Sequence, residues 1–155
     1  MQRIRIFFPL FLALTAFGQD VKPNFTGMWR RSAQGHSPNR FVERIEQTNS
    51  TIAITTIQDG TVIVTPRLFP TDGHETKMRR NRLSETRTGH WEGTNLILES
   101  TGSFPSYTGP HHGPWTTRWV LSLSNDGKTM KMSIRSLGDK DHRHDSEIVS
   151  EKIVE

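Results

Sequence analysis

The 155-residue chain has no cysteine, and that excludes disulfide staples, thiol nucleophiles and thiolate metal sites together. It holds one tyrosine among few aromatics, so broad stacking surfaces for nucleic-acid bases are lacking. The enzyme signatures that short motifs carry are also missing: there is no Gly-x-Ser-x-Gly elbow and no glycine-rich phosphate loop opening a helix. After the first residues no stretch repeats apolar side chains at helical spacing, and none is apolar for long enough to cross a bilayer. What remains is a chain that must fold on β-structure and bury its own apolar side chains.

The one long apolar block sits at the start. Arg3 and Arg5 lead into Phe7 to Phe17, and Ala16-Phe17-Gly18 sets small residues where a signal peptidase reads, which predicts a helical signal peptide over 1–18 cut before Gln19. The mature domain is then 19–155, a single unit, periplasmic or secreted, with no stable membrane insertion once the leader is gone. Of the 20 lysines and arginines, Arg3 and Arg5 leave with the leader, so 18 basic side chains face 16 acidic ones and the high pI overstates the basic character. The cations are scattered apart from Arg79, Arg80 and Arg82, and no nucleic-acid partner is expected.

The organising stretch is Trp115 to Ile134. Trp115, Thr117, Trp119, Leu121 and Leu123 share one parity, Asn125-Asp126-Gly127 makes a turn, and Met130, Met132 and Ile134 share one parity again. Period-two alternation on both sides of an Asp-Gly turn predicts an antiparallel hairpin with one buried face. A second hairpin is predicted over Thr51 to Thr65 around Asp59-Gly60, ended by Pro66 and Pro70. Phe25 and Trp29 enter the first strand, and Arg40 to Gln47 forms the second, with Phe41 and Ile45 on one face and Glu43 as a charged misfit between them. Two polar segments, His74 to Arg79 and Arg82 to Thr88, are expected at an open part of the sheet. Leu96 to Glu99 resumes a strand after Trp91-Glu92-Gly93. Thr101 to Pro114 is expected as the longest irregular segment, and Leu137 to Arg143 as a charged turn. Ser146 to Val154 closes the chain as a strand with Val149 and Ile153 on one parity. Eight to ten short strands joined by tight turns predict an all-β fold, an antiparallel up-and-down β-barrel.

Gly27-Met28-Trp29 resembles the Gly-x-Trp signature that opens the first strand of lipocalins. More of the mature chain is similar to exported, uncharacterised lipocalin-like proteins of soil bacteria, acidobacteria among them, through Pro23 to Trp29, Thr71-Asp72-Gly73, Trp91 to Leu96, Trp119 to Ser122, Asp126 to Thr129 and Ser150-Glu151-Lys152. The resemblance implies a lipocalin-like barrel and export, and no activity. A second lipocalin signature is not found, with Arg118 as the nearest counterpart of its arginine.

Trp29, Trp115 and Trp119 are the candidate ligand-binding residues, for an aromatic wall with few polar groups suits a small hydrophobic ligand; core packing explains the same three more simply, since an eight-stranded barrel can be filled by side chains. Arg118 is open to two readings, a cation over Trp29 or a solvated side chain. His142 and His144 form a His-x-His pair whose rings leave one face of an extended strand, but a metal site needs further ligands, and neither a metal nor another cofactor is assigned. His90 with Glu92, or Asp72 with His74 and Glu75, are pairs from which acid-base chemistry is drawn only on paper, and no catalytic residue is assigned. Three functions stay open: a small-molecule binder, a solid scaffold or interaction module, and a metal-dependent enzyme. Oligomeric state is not legible.

Overall fold

The computed structural model describes residues 21–32, 40–80, 83–104, 112–138 and 143–153. The expected leader over 1–18 lies outside them. Ten strands are present among the described residues: β1 Gly27–Arg31, β2 Phe41–Gln47, β3 Thr51–Gln58, β4 Thr61–Pro70, β5 Thr76–Arg80, β6 Leu83–Glu92, β7 Asn95–Phe104, β8 His112–Leu123, β9 Thr129–Leu137 and β10 Arg143–Ile153. No helix occurs among the described residues.

All ten strands form one antiparallel sheet in the order β4-β3-β2-β1-β10-β9-β8-β7-β6-β5. Every neighbour along the chain pairs except β4 with β5, and β1 joins β10 with Trp29 opposite Lys152. The sheet curls into a nearly closed barrel whose seam falls between β4 and β6. There the Gly73 N–H donates to the Gly89 carbonyl at 2.9 Å. Gly89 has no side chain because none fits: a Cβ would run into the Pro70 carbonyl oxygen and sit 2.8 Å from Leu98 Cδ2.

The alternation expected from Trp115 to Ile134 is present. Leu121, Met130 and Met132 are buried in the barrel core, and Trp119, Leu123 and Ile134 pack against it. Gly127 holds φ +67°, the left-handed conformation an Asp-Gly turn requires. Trp29 is fully buried and donates its indole N–H to the Phe25 carbonyl at 2.8 Å. With Phe25, Ile45, Ile52 and Leu96 it fills one end of the barrel.

Several boundaries differ from the sequence expectation. Pro66 and Pro70 do not end the second hairpin; β4 continues through both. Pro66 falls where the β3–β4 ladder shifts register, between the Ile54–Arg67 and Thr56–Val64 pairs, so its missing N–H is tolerated in an irregular, exposed stretch. The first strand begins at Gly27, later than expected, because Phe25 enters the core from an irregular approach. The segment expected as irregular over Thr101 to Pro114 is narrower, since β7 reaches Phe104 and β8 starts at His112, while 105–111 lie outside the described residues. In β10 the inward parity is that of Ile148 and Ser150; Val149 and Ile153, which share one parity, lie on the other face. The polar strands β5 and β6 end the sheet order, as their composition suggested.

Candidate functional site

On four strands an apolar side chain in the inward-facing row gives way to a polar one away from the filled end, whereas the row of β10 begins there with Lys152 and Ser150. On β1 Trp29 is followed by Arg31, on β2 Ile45 by Glu43, on β7 Leu98 by Ser100, and on β9 Ile134 by Ser136. Polar side chains do not interdigitate as aliphatic ones do, so the packing opens beyond the Trp29 layer into a cavity of about 300 Å³. Met132, Ile134 and Ile148 form one wall of it, from β9 and β10. Ile54 and Phe69 form the opposite wall, and Trp119 closes the gap between them with its ring 5.5 Å from that of Phe69, edge to face.

The polar groups of this cavity are few. Glu43 is the misfit of the second strand, and the structure shows its place: it points inward and is 2% exposed. Its Oε1 accepts a hydrogen bond from Arg31 Nε at 2.9 Å and a second from Arg31 Nη2. The guanidinium of Arg31 also lies over the Phe41 ring, 5.1 Å from its centre. The other carboxylate oxygen, Oε2, is buried and has no hydrogen-bond donor among the described residues. Arg67, on exposed β4, holds its guanidinium 5.9 Å from the Trp119 ring centre, and Thr56 completes the polar lining.

A second charged cluster lies under the seam. Arg87 grips Glu85 in a bidentate pair, 2.8 Å from Nε and 2.7 Å from Nη2, and Ser100 Oγ donates to the same carboxylate. Burial alone would raise the Glu85 carboxyl, but the hydrogen bonds from Arg87 and Ser100 and the charges of Arg87 and Arg67 outweigh it and hold the group below its ordinary value. Arg87 Nη1 reaches the Leu68 carbonyl at 3.5 Å and its guanidinium lies over the Phe69 ring, so the pair ties β6 to β4 across the open edge.

Of the three candidate tryptophans, Trp119 lines the cavity. Trp29 is in the filled end, beneath the Lys152 ammonium at 5.3 Å, and is not among the lining residues. Trp115 is not among them either; its ring lies against Gly102, where a Cβ would collide with it, and its indole N–H has no acceptor among the described residues. Arg118 takes the solvated reading: it lies on the outer face and pairs with Glu99 at 3.0 Å, and the cation over Trp29 is Lys152. His144 is exposed, and His142 lies outside the described residues. Among the described residues no group of three His, Cys, Asp or Glu is placed to hold a metal ion. His90 does meet Glu92, at 3.0 Å, but on the exposed outer face, and Asp72 meets His74 in an exposed turn.

Arg31, Glu43 and Arg67 were not singled out as site residues by the sequence. One signal for Glu43 was present, a carboxylate on the parity of Phe41 and Ile45, which must be buried if the strand is. Compared with protein-family models and with curated proteins, the chain matches none.

Proposed function

We propose that the protein is an exported binder of a small, largely apolar molecule, held in the barrel cavity with Trp119 as its aromatic wall. The observation that carries this reading is the cavity itself, whose volume of about 300 Å³ is at the lower end of small-molecule sites. Its composition fits as well, since aliphatic and aromatic walls with a few grouped polar atoms supply both affinity and orientation. The expected leader over 1–18 and the resemblance to exported lipocalin-like barrels support its address. A solid scaffold, the rival reading, needs an interior packed to ordinary protein density. Native mass spectrometry of the protein purified from its own host tests the proposal. Retention of one small molecule per chain, released by organic solvent, is the expected result; the bare mass under conditions gentle enough to preserve non-covalent complexes opposes it.

A further inference from the structure

We infer that the ligand of this cavity is a compact carboxylate, with its apolar body against Trp119 and its head on the guanidinium of Arg67 at the cavity mouth. The inference rests on the proposed binding role and names the charge of the ligand. Three observations lead to it. First, Arg67 is turned toward the interior: on β4 it stands directly opposite Ile54 of β3, and partners across an antiparallel ladder send their side chains to the same face. Both side chains line the cavity. Arg67 nonetheless remains exposed, and its guanidinium lies 5.9 Å from the centre of the Trp119 ring, the aromatic wall. A molecule lying on that wall therefore has a solvent-reached cation beside it.

Second, the neighbouring charges are already matched to one another and Arg67 is not. Arg31 and Glu43 are bonded together, and Glu85 at the adjoining seam is held by Arg87 in its bidentate pair. Arg67 makes no ion pair with a carboxylate among the described residues. Its charge is felt at Glu85, but Arg87 already neutralises that group by direct contact. Third, the balance of these side chains, Arg31, Arg67 and Arg87 against Glu43 and Glu85, leaves one positive charge over. A monoanion cancels it, whereas a phosphate monoester, with close to two negative charges, would leave one unmatched beside the two glutamates. An ammonium would add to the excess. The planar fork of a guanidinium also matches a carboxylate, which accepts two parallel N–H bonds from it. The size of the space adds a bound: an apolar cavity of about 150 Å³ takes benzene, so one of about 300 Å³ takes about a dozen non-hydrogen atoms.

Calorimetric titration of the protein at neutral pH and low salt with 2-naphthoate, 2-naphthol and 2-naphthylmethylammonium tests the inference, because the three share a ring body and differ in the charge of the head. 2-Naphthoate should bind about tenfold tighter than 2-naphthol, the ammonium should bind weakest of all, and the margin should shrink as salt is added. Arg67→Met keeps an apolar stem beside Trp119 and deletes the charge, so 2-naphthoate should lose its margin while the affinity for 2-naphthol stays unchanged. Arg67→Lys should keep part of the margin. Equal affinity for 2-naphthoate and 2-naphthol in the unaltered protein would leave a binding cavity but overturn the carboxylate assignment. Tightest binding of the ammonium would overturn it differently, by showing that Glu43 sets the charge preference. A margin for 2-naphthoate that survives in Arg67→Met would overturn the role of Arg67. Failure of all three to bind would overturn the binding role as well. Should Arg67→Met not fold, Arg67→Lys and the order of the three probes on the unaltered protein decide the matter.

Discussion

The two ends of the barrel are built by the same strands in the same alternation, yet one is filled and the other hollow. At the filled end Trp29, Phe25, Leu96, Leu121 and Met130 meet with no exposed area. Further along the barrel, inward rows present Arg31, Glu43, Thr117 and Ser136. Aliphatic and aromatic side chains fill a barrel of this girth by interdigitating across it, whereas a paired arginine and glutamate must keep their hydrogen-bond geometry and stop short of the axis. Stability is therefore concentrated at one end and the space for a ligand at the other.

The sharpest way to break that contrast is to remove a tryptophan from each end. Trp29→Ala leaves a void among side chains that cannot collapse and should cost about 3 to 5 kcal/mol, a large part of the about 5 to 15 kcal/mol available to a domain. Trp119→Ala removes a half-buried ring that already borders open space, so its cost should be clearly smaller. Denaturant unfolding of both variants measures the difference, and equal losses would mean that the two ends are packed alike.

The seam is the next place to press. Gly89→Ala drives a methyl group into the Pro70 carbonyl and Leu98, which should cost about 1 to 3 kcal/mol by overpacking. Because β4 and β6 meet there, the variant should also speed hydrogen exchange of the Gly73 amide, which donates across the seam. Unchanged exchange at Gly73 would show that the barrel does not depend on that closure.

A smaller effect is expected from acid. Glu85 is held below its ordinary pKa in the folded barrel, so its stabilising contribution is complete above the unfolded value of about 4.3 and is lost as pH falls through the folded one. Melting temperature should therefore fall more steeply with acidification below about pH 4.3 in the unaltered protein than in Glu85→Gln, whose side chain does not titrate. Parallel pH profiles would remove Glu85 from the account of the seam.

Much of the fold was legible because period two is a local signal. The Trp115 to Ile134 hairpin, the turn at Gly127 and the burial of Trp29 follow from side-chain parity and from one residue type that tolerates positive φ. Pro66 misled because its meaning depends on the partner strand: the register shift opposite it is a property of the β3–β4 pair, not of β4. The facing of Val149 and Ile153 was not legible for a related reason. The inward row of β10 carries Ser146, Ser150 and Lys152 beside Ile148, so its apolar residues mark the outer face, and only the pairing with β1 and β9 reveals it. The site was legible in part. Parity alone turned Trp119 inward, but whether a ring borders a void depends on the volumes of residues from six other strands. The Arg31–Glu43 pair needed the β1–β2 register to bring together residues twelve apart.

The hollow end is the central claim, and filling it is the most direct test. Ile148→Phe places a ring in the cavity without touching the Trp29 layer, and calorimetric titration with 2-naphthol reads the consequence. One molecule should bind each unaltered chain and the variant should lose that binding, while its melting temperature stays equal to or above that of the unaltered protein as the void is filled. Undiminished binding by a folded Ile148→Phe would place the ligand elsewhere and contradict the account.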